Sequence, residues 1–168
     1  MGRIESTFKR ATLKSYYLQI AILSAFLLIV QLAFPKTITI CKSCEIITLK
    51  EAIASARPYD TIIVKKGTYK EYNINIDKPL TIIGEGYPVI DGEDKGEIIR
   101  IKSDSVTIDG LFIINVGTSY TSDHAAIRVV RSEHFLIQNV VLDKLYFGIY
   151  LEKSNNGKIY HNIIIGDA

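Results

Sequence analysis

Leu80-Thr81-Ile82-Ile83-Gly84 is the stretch that decides the fold, because its pattern returns three times along the chain. The returning stretches are Val106-Thr107-Ile108-Asp109-Gly110, Phe135-Leu136-Ile137-Gln138-Asn139 and Ile159-Tyr160-His161-Asn162. Their last residues are spaced by 26, 29 and 23 positions. Short alternating segments that recur at intervals of about 20 to 30 residues indicate a solenoid of stacked coils.

A second ladder of segments lies between the first. It consists of Ile99-Arg100-Ile101, Ile127-Arg128-Val129 and Ile149-Tyr150-Leu151, with serines following at Ser103, Ser132 and Ser154. Successive side chains of a strand point to opposite faces, so the apolar residues face the core and the middle residues form an outward column. We therefore predict a right-handed parallel β-helix, with parallel strands over 61–165 and one core that contains Ile82, Ile108 and Ile137.

The last residues of the first ladder are glycine or asparagine, which tolerate a positive φ better than other residues. We expect a left-handed kink at this corner of every coil, at Gly84, Gly110, Asn139 and Asn162, and a short ladder between the two asparagines. A barrel or a sandwich is the alternative fold. Its hairpins favour two-residue Asn-Gly or Asp-Gly turns, and such pairs are scarce here, at Asp91-Gly92, Asp109-Gly110 and Asn156-Gly157.

A short helix precedes the coils. Thr48-Leu49-Lys50-Glu51 has the pattern of a capping box, and Leu49, Ala52, Ile53 and Ala56 fall on one helical face. We predict an amphipathic helix over 48–57 that covers the N-terminal end of the solenoid. At the other end the sequence stops directly after the predicted strand 163–165, so we expect further coils beyond it.

The N-terminal segment predicts export. Basic residues at Lys9, Arg10 and Lys14 precede an apolar run, and the segment 16–34 is just long enough to span a bilayer. We interpret 1–36 as a signal peptide or an uncleaved membrane anchor, with a buried core helix as the alternative. The rest of the chain then lies in the periplasm or another extracytoplasmic space. This gives 1–36 as signal or anchor, 37–60 as linker and cap, and 61–168 as coils.

Cys41 and Cys44 form a C-x-x-C pair after the apolar run. In an oxidising compartment such a pair forms a local disulfide. Two thiolates also suit Cu(I), so a copper site is the second interpretation. A zinc site needs more ligands than the pair supplies, and a thioredoxin-like motif needs a βαβ context.

The charge distribution argues against nucleic acid as a partner. Residues 1–36 hold five basic side chains and one acid, which leaves 15 basic and 17 acidic residues in 37–168. The globular part is therefore nearly neutral, at a net charge of −2. Proteins that bind nucleic acid carry a basic stripe or patch, and this sequence predicts none.

These features together resemble the NosD-like family of periplasmic copper-binding proteins for nitrous oxide reductase maturation, which are pectin-lyase-like β-helices with carbohydrate-binding and sugar-hydrolase-type repeats. The resemblance covers about residues 37–168. Its motifs are Thr48-Leu49-Lys50-Glu51-Ala52-Ile53, Asp60-Thr61-Ile62-Ile63-Val64, Lys66-Gly67-Thr68-Tyr69-Lys70-Glu71, Pro79-Leu80-Thr81-Ile82-Ile83-Gly84 and Phe147-Gly148-Ile149-Tyr150-Leu151, with Asn162. It implies an exported accessory protein for copper-site assembly. Its implied partners are the permease and ATPase of an ABC transporter, a copper chaperone and nitrous oxide reductase.

We predict no catalytic residue. A lyase or hydrolase on stacked coils needs acids at equivalent positions of neighbouring coils, whereas the first ladder aligns Asp109 with Ile83, Gln138 and His161. The Asp91-Gly92-Glu93-Asp94 cluster belongs to one turn, and His134 and His161 lie in unrelated contexts. A surface structural or carbohydrate-active β-helix is the alternative function.

Two further features are candidates for binding. The column of Arg100, Arg128 and Tyr150 suits an anion or a partner, although such a column is more often a solvated face. The widest insertion is 117–124, where Asp123 and His124 are possible metal ligands.

Overall fold

The computed structural model describes residues 16–24, 34–119, 121 and 123–166. The chain divides into two compact units, Met1–Phe34 and Pro35–Ala168. In the first unit, residues 16–24 are helical. Among the described residues, no helix has the length and apolar character that crossing a membrane requires. The predicted signal or anchor falls largely on residues outside the described ones, so that interpretation stays a prediction.

The second unit consists of short strands and one helix, the cap helix (Leu49–Ser55). The strands are β1 (Thr37–Ile40), β2 (Thr61–Val64), β3 (Thr68–Lys70), β4 (Ile74–Ile76), β5 (Thr81–Gly84), β6 (Val89–Asp91), β7 (Ile99–Ile101), β8 (Thr107–Asp109), β9 (Phe112–Ile114), β10 (Ala125–Val130), β11 (Leu136–Gln138), β12 (Val141–Leu145), β13 (Phe147–Glu152), β14 (Lys158–Tyr160) and β15 (Ile163–Gly166).

The strands form three parallel sheets, and the chain visits them in turn. Sheet A has the order β1-β2-β5-β8-β11-β14, sheet B has β3-β6-β9-β12-β15, and sheet C has β4-β7-β10-β13. Each circuit of the chain through the three sheets is one coil, and its strands pair with the equivalent strands of the next coil. This confirms the predicted right-handed parallel β-helix. Strand β1 adds a rung to sheet A ahead of the cap helix, within the segment that the sequence predicts as linker and cap.

The core consists of columns of aliphatic side chains that run along the solenoid axis. In sheet A, Ile62 lies over Ile82, Ile82 over Ile108, and Ile108 over Ile137, and all four are fully buried. Burying an isoleucine contributes about 1.5–3 kcal/mol, so each column outweighs any single hydrogen bond of the fold. The predicted common core of Ile82, Ile108 and Ile137 is confirmed.

Sheets B and C contribute columns of the same kind. In sheet C the second ladder is confirmed, with Ile99 over Ile127 and Ile127 over Ile149. Sheet B was not recognised in the sequence. Its column is formed by Tyr69, Ile90, Ile113, Leu142 and Ile164.

The predicted corner of the coil is wrong at two positions. The register places Ile159 over Ile137, so Tyr160 matches Gln138 and His161, not Asn162, follows Asn139 in the stack. Positive φ occurs at Gly110 (71°), Asn139 (52°) and His161 (55°), but Gly84 does not share it. Asn139 donates to Asp109 rather than to Asn162, whose side chain instead bonds the backbone of Val140 and Ile137. The predicted asparagine ladder is therefore wrong.

Gly84 is required by proximity rather than by a kink. A Cβ at Gly84 would lie 2.8 Å from the carbonyl carbon of Gly110 in the next coil and would also collide with the carbonyl oxygen. The two backbones approach too closely at this corner for any side chain. Glycine is thus required at this corner in two successive coils for different reasons: close backbone packing at Gly84 and a positive φ at Gly110.

The cap helix begins and ends close to the predicted bounds. Thr48 is the N-cap, and its Oγ1 accepts a hydrogen bond from the Glu51 backbone N–H (3.2 Å). Leu49, Ala52 and Ile53 are buried against the first strands. The reciprocal bond of a capping box, from the Thr48 backbone N–H to the Glu51 side chain, is not among the hydrogen bonds of the described residues. Other N–H groups of the first helical turn are bound by a side chain from the first coil. The buried carboxylate of Glu71 accepts from the backbone N–H groups of Leu49 (2.6 Å) and Lys50 (3.0 Å).

Two carboxylates thus fix the cap to the first coil. Asp60 is 3 % exposed and accepts from the backbone N–H groups of Lys36 (2.7 Å) and Arg57 (2.8 Å), which closes the chain on both sides of the helix. Glu71 performs the same function at the N-terminus of the helix, where the helix dipole also favours a negative charge. These two side chains tie both ends of the cap helix to the first coil.

We expect Glu71→Gln to destabilise the protein by about 2 kcal/mol, because an amide cannot accept from both backbone donors and would oppose one of them with its own N–H. Glu51→Gln is the matched control, since Glu51 is exposed on the same helix, and its effect is expected to stay within about 0.5 kcal/mol. Urea unfolding followed by tyrosine fluorescence and circular dichroism measures both changes. Equal effects would contradict the anchoring role of Glu71.

Candidate functional site

The outer face of sheet C holds the polar column that the sequence predicts. Arg100 lies over Arg128, and Arg128 over Tyr150, with Asn75 at the N-terminal end of the column. Equivalent strands lie about 4.8 Å apart, so the two guanidinium groups belong to neighbouring coils. Two cations at this spacing repel each other unless an anion lies between them.

That anion is Glu97, which is 3 % exposed. Its Oε1 accepts from Arg100 Nε (2.5 Å) and its Oε2 accepts from Arg128 Nε (2.6 Å). Glu97 lies two residues before β7, next to the fully buried Ile98, and the two arginines hold its carboxylate away from solvent. One buried carboxylate therefore links two coils through side chains alone.

Arg128 is held on every side. Its Nη1 reaches Glu152 (3.4 Å), its Nη2 donates to the backbone carbonyl of Asp123, and its guanidinium lies 4.4 Å from the centre of the Tyr150 ring. The Arg128 side chain is only 14 % exposed. The interpretation of this column as a solvated face is therefore wrong for Arg128.

Arg100 differs from Arg128 in that it keeps free hydrogen-bonding capacity. Its side chain is 39 % exposed, and within the described part of the chain its hydrogen bonds run through Nε alone. The hydrogen bond to Glu97 raises the pKa of Arg100, the Glu97 charge adds to this, and the group stays protonated at any working pH. Both Nη nitrogens of Arg100 therefore make no hydrogen bond to the described residues.

The insertion 117–124 lies beside this face. His124 Nδ1 donates to the backbone carbonyl of Gly117 (3.0 Å), which closes the insertion on itself. Gly117 packs against the backbone of Gly96, whose Cα would lie 2.7 Å from a Cβ at this position. Gly117 is therefore seated on the preceding coil, and Asp123 and His124 lie next to the arginine column.

Two depressions meet at these residues. One, of about 320 Å³, is lined by Asn73, Glu97, Arg100, Asp123, His124 and Arg128. The other, of about 490 Å³, is lined by Gly117, Thr118, Ser119, Asp123, His124, Tyr146 and Phe147. Asp123 and His124 border both depressions, and we call the two together the sheet C groove.

An aromatic pair lies at the far end of the sheet C groove from Arg100. Tyr146 is 78 % exposed, and its ring meets the Phe147 ring edge to face, with centres 4.8 Å apart. Phe147 in turn lies 6.0 Å from the Tyr150 ring. The exposed ring is thereby held in place by a second ring rather than by burial.

The remaining predicted residues lie away from the sheet C groove. Asp91 accepts from the Glu93 backbone N–H (2.9 Å) and from Asn115 Nδ2 (2.8 Å), as expected of a turn. Hydrogen bonds from Lys95 and Lys70 lower the pKa of Glu93 in the same turn. Asp109 accepts from Gln138 and Asn139 at the coil corner, with Tyr160 rather than His161 at its fourth equivalent position. His134 and His161 are exposed and separate.

The cysteine pair lies in the loop between β1 and the cap helix. Cys41 and Cys44 form a disulfide, with sulfur atoms 2.17 Å apart, and both residues are half-buried. A thiolate metal site would exist only after reduction of this bond, so the copper interpretation stays a prediction. Across the described residues, no three His, Cys, Asp or Glu side chains come together in a way that would hold a metal ion.

Glu97 and the pair Tyr146–Phe147 are the site residues that sequence reasoning missed. Glu97 precedes Arg100 by three positions, and an acid close to a column of stacked arginines is a signal that was available. Tyr146 and Phe147 carried no such signal, because aromatic residues in a strand-rich sequence are usually part of the core.

We predict that replacing both Cys41 and Cys44 by serine leaves the melting temperature within about 2 °C of that of the unmodified chain. The two cysteines are only three positions apart in sequence and lie ahead of the cap helix. The disulfide therefore closes a very short loop and lowers the conformational entropy of the unfolded chain only slightly. Differential scanning calorimetry of the oxidised chain and the double variant tests this. A drop of several degrees would show that the bond supports the first coil.

Glu97→Gln is expected to cost about 3 kcal/mol of stability, because it removes the closer charge partner of the buried Arg128 and leaves only the longer ion pair with Glu152 (3.4 Å). The control is Glu85→Gln, which breaks the half-exposed pair of Glu85 with Lys65 (2.5 Å) and should cost less than about 1 kcal/mol. Chemical denaturation compares the two. If the costs are equal, Glu97 does not organise the face in the manner described.

In comparisons with family models, with curated proteins and with solved structures, no match to this chain was found.

Proposed function

We propose that this chain is an exported accessory protein that binds and positions partners without catalysing a reaction itself. The observation that carries the proposal is the buried Glu97 carboxylate, which holds Arg100 and Arg128 in fixed positions on an outer face of a stiff solenoid. A face whose side chains are ordered before contact loses little entropy on binding. A binding scaffold needs this property, whereas it does not require a reactive group.

Several carboxylates are already occupied by hydrogen bonds within the protein, which supports a binding role over acid–base catalysis. Asp60 and Glu71 accept from backbone N–H groups around the cap helix, Asp91 and Asp109 hold a turn and a corner, and Glu97 is shared by two arginines. A general acid or base must be within reach of the substrate proton that it transfers. These five carboxylates are instead used for building the solenoid.

The finer role that we propose is the one implied by the family resemblance. In that role the protein assists copper-site assembly in nitrous oxide reductase, together with an ABC transporter and a copper chaperone. The cap helix and the coils carry the motifs of the resemblance, which supports it at the level of architecture. The Cys41–Cys44 disulfide fits an extracytoplasmic location, since such bonds persist in oxidising compartments.

Binding to copper-free nitrous oxide reductase tests this role. We expect the full chain, purified in detergent, to bind the copper-free enzyme with a dissociation constant of about 1–10 µM in biolayer interferometry, and the copper-loaded enzyme more weakly. Arg100→Gln should weaken binding at least about tenfold, because it removes the exposed cation of the face.

Lys158→Gln is the matched control, since Lys158 is exposed on sheet A and its loss changes the net charge equally. Its effect is expected to stay within about twofold. Undetectable binding to either form of the enzyme would contradict the maturation role. Equal losses for the two variants would show that sheet C is not the docking face.

A further inference from the structure

The Cys41–Cys44 disulfide is a reactive group that the docking role does not use. The bond joins residues three positions apart, and among the described residues neither cysteine is part of the buried core. Both cysteines are partly exposed, and Lys42 and Ser43 between them are exposed. A thiol of another molecule is therefore able to reach the sulfur atoms while the solenoid stays folded.

We propose that Cys41–Cys44 is a thiol–disulfide exchange site, which accepts two electrons from a dithiol of a partner protein. The chain takes part as a stoichiometric reactant, so this chemistry goes beyond the binding role proposed above and does not depend on it. Three properties of the site support the proposal: the small contribution of the bond to the fold, the fixed ends of its loop, and the different surroundings of its two sulfur atoms.

The small contribution of the bond to the fold makes it easy to reduce. A disulfide that closes a long loop stabilises the folded state, and the folded state in return protects that disulfide from reduction. Cys41 and Cys44 close a very short loop. The solenoid therefore protects this bond only slightly, and exposed disulfides of this kind are the ones that exchange.

The loop that carries the cysteines is fixed at both ends by hydrogen bonds that do not involve sulfur. Before the loop, the Ile40 carbonyl accepts from the Lys65 backbone N–H (3.0 Å) and from the Tyr69 hydroxyl (3.3 Å). After the loop, Thr48 caps the helix and Glu71 binds the first N–H groups of the helix. Reduction of the disulfide therefore leaves both ends of the loop in place.

A turn keeps the two cysteines close together after reduction. The Cys44 backbone N–H donates to the Cys41 carbonyl (3.2 Å), and the two Cα atoms lie 5.0 Å apart. Two thiols at this distance re-form their bond readily, because closing so short a loop costs little entropy. A partner with a single thiol is therefore expelled by the neighbouring cysteine, whereas a dithiol leaves as its own disulfide.

The two sulfur atoms differ in their surroundings. Cys41 Sγ lies 3.5 Å from Ser43 Oγ, and the hydroxyl is the donor because a disulfide sulfur carries no hydrogen. Lys42 follows Cys41 directly in the chain. Glu45, in contrast, follows Cys44. A hydroxyl donor and a positive charge stabilise a thiolate, whereas a carboxylate disfavours it, so Cys41 is the better leaving group.

The direction of the exchange follows from this difference. A thiolate of the partner attacks Cys44 Sγ, the bond between the two cysteines breaks, and Cys41 leaves with the electron pair as a thiolate. The second thiolate of the partner then attacks the partner's own sulfur in the mixed disulfide, and Cys44 leaves as a thiolate. The partner is oxidised to a disulfide and the chain is reduced to two thiols, which take up the two protons that the partner's thiols lost.

Reduction of the full chain, purified in detergent, by a peptide with a reduced C-x-x-C pair tests the proposal near neutral pH. We expect the folded chain to gain two free thiols, counted by alkylation and mass spectrometry, while its far-ultraviolet circular dichroism stays unchanged. The same peptide with one cysteine replaced by serine, at equal thiol concentration, should give at least about tenfold less reduced chain. Reduction that occurs only in urea, or equal yields with the two peptides, would overturn the proposal.

Variants beside the disulfide test the direction of attack. Lys42→Glu and Ser43→Ala remove the groups that stabilise the Cys41 thiolate, so each should slow the reduction at least about threefold. Lys158→Glu makes the same charge change as Lys42→Glu on sheet A of the last coils, and its effect should stay below about twofold. Equal rates for the three variants would contradict the role of the surroundings of Cys41.

Trapping of the mixed disulfide identifies the sulfur that is attacked. The chain is treated with the single-cysteine peptide, quenched in acid and digested, and the adduct is located by mass spectrometry. We expect the peptide to be attached mainly to Cys44, since Cys41 is the leaving group. Attachment mainly to Cys41 would refute the mechanism.

Discussion

Every inward side chain of this solenoid must lie over its counterpart in the next coil, and the rest of the structure follows from that requirement. The columns of Ile62, Ile82, Ile108 and Ile137 keep their register although the spacing between successive members varies from 20 to 29 residues. Most of the variation in length is taken up where the chain turns between sheets, apart from a bulge between Asp143 and Leu145 in β12. The insertion 117–124 is the largest such excursion, and it is tolerated because β9 and β10 remain in register with their neighbours.

Stacking in register also brings like charges together on the outer face of sheet C. A coil that places an arginine over the arginine of its neighbour confines two like charges at the strand spacing. Glu97 offsets this repulsion from beneath, and its burial makes the arrangement rigid because the carboxylate has lost its water ligands and depends on both partners. The polar face of sheet C is thus a consequence of the repeat and of one acid placed beside it.

The sequence predicts the sheets whose equivalent positions carry the same type of residue in successive coils. Ile82, Ile108 and Ile137 share a residue type and an alternating context, so sheets A and C could be predicted with their register. Sheet B could not be predicted, because the residue type in its core column changes from Tyr69 through Ile90 to Leu142 and gives no common pattern. The error at Asn162 has the same origin, since matching asparagine to asparagine displaced the last segment by one residue from the register that Ile159 imposes. The contact of Glu97 with Arg128 could not be predicted, because it joins side chains 31 residues apart through the geometry of the coil.

Solenoid coils contact only their neighbours, so in principle they are able to open one at a time from an end. Glu97 changes this behaviour locally. Its carboxylate belongs to the coil of β7 and is bonded to Arg128 in the coil of β10, which is bonded in turn to Glu152 in the coil of β13. Three successive coils are therefore joined by charged side chains as well as by their backbones. We therefore expect β7, β10 and β13 to open together as one cooperative unit in amide hydrogen exchange, rather than one coil at a time.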